Sequence, residues 1–364
     1  MAKRVVISNS DVRSFKRCRR KWDYLSPLRR NLKTKKVVAR LSFGRGIHVA
    51  LSDYYALLNE NKHILQVLLN SFEKWYKKEI LRLEELGVLE EQEEELLELY
   101  ELGKSMLTSY QPWAAIEDSK SFTKVLYNEK RIEIPLLDYN GKRTCGRYSF
   151  KADLIVEDSD GFYWLVDHKT IATANIPSLE LDEQAVSYLY GTQRKFGIKL
   201  EGFIFNFLLK KIPAVPQVLK NGELSKKKLT TTYEVFRDTI EKHYETEGKT
   251  EIERDEIFAP FVEILDELQG QANPFFTRIK VYKSQAEIQE IGNRLYDEYL
   301  EMRNPKIKIY PNPTRDCIWD CPLRTLCIVE NDAGDLKSLI EDTFETKEED
   351  NALIIIPEDY EEEV

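Results

Sequence analysis

Two aspartates, Asp153 and Asp167, and a lysine two positions beyond the second, Lys169, lie in the stretch KADLIVEDSDGFYWLVDHKT. Side chains alternate faces along a strand, so Asp167 and Lys169 share one face while His168 points to the other. The turn signal DSDG folds the two runs into a hairpin and carries Asp153 toward Asp167. Two carboxylates and an ammonium then converge. Such a set suits a hard divalent cation: aspartate oxygens bind Mg²⁺ or Mn²⁺, which polarises a phosphodiester and lowers the pKa of bound water. Lys169 is placed to orient that water or to offset charge at phosphorus. A surface salt bridge between Asp167 and Lys169 is the competing reading, but FYWLV immediately before them is too apolar for an exposed strand.

A second group is Cys317, Cys321 and Cys327, three of the chain's five cysteines, in DCIWDCPLRTLC. An odd count in a chain of 364 residues argues against a disulfide framework, and metal binding explains the clustering better. Charge is distributed as unevenly as the cysteines. The net charge is −9, yet residues 1–40 hold fourteen Lys/Arg against Asp11 and Asp23, so the remainder carries −21. A basic N-terminus on an acidic body points to a polyanionic partner, the alternative being that FKRCRRKW is only a solvated helix face. No apolar run approaches the ~20 residues of a membrane span, and the first residues contain no signal-peptide stretch. The expected location is cytoplasmic, with no membrane partner.

The elements that must position these residues follow from pattern. SDVRSFKRCRRKWDYL places Val12, Phe15, Cys18/Arg19 and Trp22 at helical spacing behind the capping residues Ser10 and Asp11. LSFGRGIHVALSDYYALLNE reads as a glycine-containing turn feeding a helix, and residues 63–110 as two long helices; Glu84 to Glu101 has nine acids and no base. After QPW the texture becomes β-rich, predicting strands over 122–137, 145–158 and 162–170, a helix over 180–196 and a strand over 201–211. This is a mixed α/β core. A basic loop, LKNGELSKKKL, precedes predicted helices over 232–245, 253–269 and 285–303. From Glu341 onward eleven acids face one lysine, which predicts disorder.

The order GRGIH, AD, DHK, QAVSY resembles the PD-(D/E)XK nuclease superfamily, specifically its RecB-like branch of phage exonucleases and CRISPR-associated adaptation nucleases. The resemblance covers roughly 1–210 and 305–330; 215–304 matches no motif. It implies a restriction-endonuclease-like mixed sheet flanked by helices, with an α-helical insertion. It implies that His48, Asp153, Asp167 and the main-chain carbonyl of His168 hold Mg²⁺ or Mn²⁺ and that Lys169 is the catalytic lysine. Gln184 and Tyr188, one helical turn apart, would hold the lysine and a phosphate, and Glu129 would add an upstream acid, with Glu133 on the same strand face as its competitor. A subset of the branch carries an iron–sulfur cluster on one N-terminal and three C-terminal cysteines, matched by Cys18, Cys317, Cys321 and Cys327. Four thiolates suit [4Fe–4S]; zinc, the alternative, more often pairs two short C-x₂₋₄-C knuckles. Such a clasp would join the chain ends and leave Cys145 as a small apolar residue. It would bring Arg13, Lys16, Arg17, Arg19 and Arg20 to DNA phosphates, while Trp22, Tyr24 and Trp319 serve mainly in packing.

The organisation expected is a basic segment with the first cluster cysteine (1–40), a helical region with the histidine ligand (41–115), the nuclease core (116–215), a helical region of unknown role (216–304), the cysteine segment (305–335) and an acidic, disordered tail (336–364). The function expected is that of a phage-encoded, metal-dependent DNA exonuclease of the host cytoplasm, working on single strands or duplex ends. It would act in replication, recombination or repair, beside a protein partner from one of those processes. A CRISPR-type spacer-processing nuclease shares the chemistry. A non-catalytic DNA-binding or scaffold subunit is the reading against which the complete Asp153, Asp167 and Lys169 set speaks.

Overall fold

In the computed structural model, residues 5–35, 39–60, 64–173, 179–318 and 321–347 are described. The N-terminal part runs β1 (Val5–Ser8), α1 (Asn9–Arg17), α2 (Arg19–Leu25), β2 (Leu32–Thr34), α3 (Ala39–Tyr55), α4 (Leu65–Glu85) and α5 (Leu89–Ser121). The centre is β3 (Lys124–Leu137), β4 (Arg143–Glu157), β5 (Tyr163–Ile171), α6 (Glu183–Phe196) and β6 (Leu200–Leu209). There follow α7 (Tyr233–His243), α8 (Glu251–Phe258), α9 (Val262–Gly270), β7 (Phe276–Tyr282) and α10 (Gln285–Arg303), then α11 (Arg324–Asn331), α12 (Leu336–Thr343) and β8 (Phe344–Thr346).

The main sheet has the order β1-β4-β5-β6-β7, with β3 on the other edge of β4. Pairing is parallel for β1/β4 and β5/β6 and antiparallel for β3/β4, β4/β5 and β6/β7. Helices cover both faces. One core packs α3, α4 and α5 on the sheet through Phe43, Ile47, Phe72 and Leu107; the other packs α1, α6 and α10 through Phe15, Leu189 and Leu295. The DSDG turn forms by the mechanism its sequence suggests, and the turn between β3 and β4 uses the same one. Asp138 Oδ1 accepts from the N–H groups of Asn140 and Lys142, and Asp158 Oδ1 from those of Asp160 and Phe162. Glycines with positive φ, Gly141 and Gly161, complete them.

Several expectations change. The predicted helix over 10–25 is broken at Cys18, which adopts an extended φ of −162° and caps α2 instead. GRG does not form a turn: Gly44 and Gly46 lie inside α3, where a Cβ on Gly46 would collide with the Trp75 ring. α5 runs through Pro112 to Ser121, beyond the expected boundary near 115. The helix expected over 253–269 divides around Pro260, and β7 was not foreseen. Disorder from 336 is overturned as far as residue 347: α12 forms, and β8 pairs antiparallel with β2. Residues 348–364 lie outside the described residues, as does Trp319. Trp22 and Tyr24 are buried, in keeping with packing. No helix among the described residues is long and apolar enough to cross a membrane.

Candidate active site

The site lies where β4 and β5 part. One edge of β4 is paired along its length with β3; the opposite edge is shared, β1 taking Gly146–Ser149 and β5 taking Leu154–Glu157. Phe150 to Asp153 therefore have no ladder partner on that edge among the described residues. β5 stays paired to β6 through Ile171, so after Val166 it leaves β4 and carries Asp167, His168 and Lys169 with it. Asp153, buried at the fork, fills the gap: its Oδ2 accepts the His168 backbone N–H at 2.8 Å.

Around this fork the predicted residues gather. His48, on α3, places Nδ1 3.3 Å from Asp153 Oδ2. Lys169 Nζ is 2.5 Å from Asp167 Oδ2. Gln184, on the first turn of α6, donates to Asp167 Oδ1 at 3.3 Å, and Tyr188, one turn on, is buried and stacked on Phe150 at 4.4 Å. α6 is held in place by Asp182, whose carboxylate caps it through the Ala185 N–H, and by Gly197 at its left-handed C-cap. Both carboxylates of the fork are thus oriented by other groups before any ligand arrives.

Glu129 joins the set from β3. Its carboxylate, the His48 imidazole and the Asp153 carboxylate each offer a ligand atom, all within 4.8 Å of one another. Register explains why it is Glu129 rather than Glu133. Asn128 pairs with Leu154 and Lys130 with Ala152, putting residue 129 across from Asp153, whereas Glu133 faces Ser149 and pairs with Arg147 at 3.5 Å. Glu129 also has φ of +50°, a strained value for a side chain with a Cβ, and an ion pair with Lys151.

Electrostatics separate the two aspartates. Burial alone would raise Asp153, but the hydrogen bond and charge of His48, with the His168 N–H, hold it below the usual carboxylate range. Burial lifts Asp167 above that range, Lys169 opposing and Asp153's charge adding to it. His48 is pulled down by burial but raised overall by Asp153 and Asp167. A hard divalent cation placed among these groups would replace the proton that Asp167 otherwise favours.

His168 faces away from Lys169, as strand alternation predicts, into a network that sequence reading missed. Its ring stacks on Tyr55 at 5.3 Å, and burial pushes its pKa down to about 3, which keeps it neutral. Its Nδ1 accepts from Asn206 Nδ2 at 2.8 Å, placing the proton on Nε2. Asn206 also donates to the Tyr110 hydroxyl, and Arg278 from β7 donates to Tyr55 and to the buried Asp118 at 2.9 and 2.5 Å. The available signal was Asn206 itself, a lone polar residue within GFIFNFLL.

The basic N-terminal residues divide. Lys16 pairs with Glu183 and Glu298, both at 2.6 Å, Arg19 with Glu301 at 3.0 Å and Arg20 with Glu330 at 3.1 Å, so their charges are already balanced within the chain. Arg17 ends α1, its carbonyl accepting from Asn312 Nδ2. Arg13 is exposed, and its charge reaches Tyr188.

The described N- and C-terminal segments meet. Tyr24, Leu32, Leu323, Leu326 and Phe344 form a small core of their own. All five cysteines are free thiols, half-buried. Leaving the helix lets Cys18 Sγ accept the N–H groups of Lys21 and Asn312 at 3.5 and 3.4 Å. Cys317 Sγ accepts from the Thr314 N–H, and Cys327 Sγ from Arg20. Burial raises Cys321, against the opposing Leu323 N–H and the charge of Lys21. Cys145 sits apart, beside Tyr299 and Arg303.

Comparison with known families finds one matching model, described as the PD-(D/E)XK nuclease superfamily, over residues 6–328. No curated protein matches the chain.

Proposed function

The chain belongs to the PD-(D/E)XK nuclease superfamily, and from that premise we propose that it is a metal-dependent DNA exonuclease. The observation that carries the reading is the fork: Asp153 and Asp167 on parting strands, His48 and Glu129 converging on Asp153, and Lys169 2.5 Å from Asp167. Oxygen donors with a single imidazole fit Mg²⁺ or Mn²⁺ better than a thiophilic ion. His48, Glu129, Asp153, Asp167 and the His168 carbonyl are the groups proposed to hold it. Bound there, a divalent cation supplies polarisation of the phosphodiester and a lowered pKa for the attacking water.

The chain's own residues do the rest. Gln184 fixes the second oxygen of Asp167, so that its carboxylate keeps one orientation as substrate enters. The Lys169 ammonium, tethered to Asp167, orients the water and offsets charge developing at the phosphate. Tyr188, buried beside Phe150, supports the α6 face that carries Gln184. Cys18, Cys317, Cys321 and Cys327 are proposed to hold a [4Fe–4S] cluster, supported by the backbone N–H groups already directed at the Cys18 and Cys317 sulfurs. A role in phage replication, recombination or repair follows the branch that the motifs resemble.

The test is a time course on 5′-labelled, 3′-labelled and circular DNA, single- and double-stranded, with Mg²⁺, Mn²⁺ or EDTA. Progressive shortening of linear DNA that EDTA abolishes supports the exonuclease; cleavage of circular DNA would move the reading to an endonuclease. No cleavage under any condition would leave a binding subunit.

A further inference from the structure

Between β6 and β7 the chain makes an excursion with a core of its own, Leu224, Phe236, Ile240, Phe261 and Leu265, separate from the two sheet cores. It departs and returns at one place: the Leu209 N–H donates to the Phe275 carbonyl and the Lys210 N–H to the Ile171 carbonyl, both at 2.8 Å. That root is the C-terminal end of the parallel pair β5/β6, where Lys169 pairs with Phe207 and Ile171 with Leu209. The excursion therefore starts two residues beyond Lys169 along the sheet, ~7 Å at strand rise. Lys210 lies over the ring of Phe43, 5.5 Å from its centroid, on the same helix as His48.

The first part of the excursion is a two-legged arm. The Ala214 N–H donates to Thr230, the Ser225 N–H to Gln217 and the Leu219 N–H to Glu223, with an antiparallel bridge between Val218 and Leu224. Gly222, at φ +83°, closes the tip. Leu224 anchors the arm in the helical core, while Val218 and Leu219 near the tip are 60% and 46% exposed.

Charge is sorted across this excursion. From 210 to 230 there are six lysines, Lys210, Lys211, Lys220, Lys226, Lys227 and Lys228, against Glu223 alone. The helices behind, residues 233–270, carry twelve acids and four Lys/Arg. Lys228 is paired to Glu267 and Lys226 lies over Phe261, but among the described residues Lys211, Lys220 and Lys227 make no ion pair. Such a row of uncompensated, exposed ammonium groups is unfavourable on its own and becomes favourable beside a polyanion. The N-terminal helices, by contrast, have Lys16, Arg19 and Arg20 matched by acids of the same chain.

We propose that the arm 211–230 is a nucleic-acid strap: Lys211, Lys220, Lys226 and Lys227 contact successive phosphates of the DNA strand that enters or leaves the fork. The inference rests on the nuclease reading for its substrate. The contact is sequence-independent and carried by charge.

The test replaces Lys220, Lys226 and Lys227 together by Gln, and in a second variant by Arg. In the parent chain and in an Asp153→Ala background that keeps DNA intact, anisotropy of a labelled oligonucleotide gives affinity at several salt concentrations. The Gln variant is expected to bind at least tenfold more weakly, and its slope of log K against log[salt] to fall by roughly 2, about 0.7 for each single-strand phosphate that is no longer neutralised. The Arg variant keeps both. In cleavage assays KM rises at least tenfold while kcat changes less than twofold. An unchanged affinity and salt slope in the Gln variant overturns the strap whatever the cleavage result. A parent chain that binds DNA through the arm but never cuts it removes the nuclease reading and leaves the strap standing.

Discussion

At the residue scale, Asp153 and Lys169 belong to different steps and their loss should look different. Asp153→Ala removes the carboxylate that His48, Glu129 and the His168 N–H all surround. Cleavage is expected to fall to background at any Mg²⁺ concentration, with DNA affinity retained. Lys169→Ala leaves the proposed ligands and should lower kcat by about 10²–10⁴-fold, the usual worth of a positioned proton-transfer or charge-stabilising group, with little change in the metal concentration required. A titration of rate against Mn²⁺ for each variant distinguishes them. Glu129 offers a sharper test because it is strained. Glu129→Gly relieves a left-handed residue, so stability in urea unfolding is expected to hold or rise by up to ~1 kcal/mol, while activity drops and its Mn²⁺ requirement rises. A destabilised variant with normal metal dependence would make Glu129 a partner of Lys151 and nothing more. His48 came only from the resemblance to a family motif, whereas the convergence of Asp153, Asp167 and Lys169 was legible from a turn and strand alternation. The choice between Glu129 and Glu133 was not, since both lie on one face and only the register against β4 selects the residue across from Asp153. Positions four apart on a strand differ by ~13 Å, too far for both to reach one ion.

At the element scale, α3 shows how a motif can be placed correctly and its conformation misread. GRG carries a turn signal in isolation, yet here glycine serves close approach. Gly46 lets α3 settle on Trp75, itself packed against Phe43 and Phe72, and Gly44 sits beside Thr170 of β5. His48 therefore reaches Asp153 because the helix that carries it can lie close to both α4 and β5. Gly46→Ala forces the Trp75 ring or α3 itself to move, with an expected cost of about 1–3 kcal/mol in urea unfolding. His48 should shift with it, raising the metal requirement. In a Trp75→Ala background, itself less stable, Gly46→Ala should cost less than in the parent, a coupling of more than ~0.5 kcal/mol; strict additivity would mean the two residues do not share the strain. The five central elements, β3 to β6 with α6, were legible from β-rich composition and the turn signals between the runs. β1 was not, because four residues of VVIS are too short to establish a period, and its parallel pairing with β4 spans more than a hundred residues. The break at Cys18 was hidden for another reason: the residues around it keep helical spacing, and one partner its sulfur finds, the Asn312 N–H, is distant in sequence.

At the scale of the whole molecule, what the sequence conceals is neutralisation at a distance. Part of the +12 of the first forty residues, at Lys16, Arg19 and Arg20, is answered by Glu183, Glu298, Glu301 and Glu330, none of which is near in sequence. The same distance hides the pair that ties the helical layer to the sheet, Arg278 on β7 and Asp118 on α5. Asp118→Ala leaves a buried guanidinium without its carboxylate and should cost about 3–5 kcal/mol. The chain ends pose the opposite problem, too little burial rather than too much charge. Among the described residues, Tyr24, Leu32, Leu323, Leu326 and Phe344 are the buried apolar residues of their cluster. On its own a core of that size is marginal, and a staple such as a disulfide or a metal adds most where burial is least. Cys18 turns out of its helix and its sulfur accepts the Asn312 N–H of the C-terminal segment, which fits the proposal that Cys18, Cys317, Cys321 and Cys327 hold a metal as that staple. Cys18→Ser should therefore remove bound iron and the broad absorbance near about 400 nm, lower the thermal midpoint and open residues 305–318 to protease. Cleavage at low temperature should persist, because no cysteine lies at the fork between β4 and β5. A colourless parent protein containing zinc would change the metal but keep the staple. A Cys18→Ser protein with the parent's midpoint and protease resistance would show that the β2/β8 pairing and the small core suffice, and that the ends meet without any clasp.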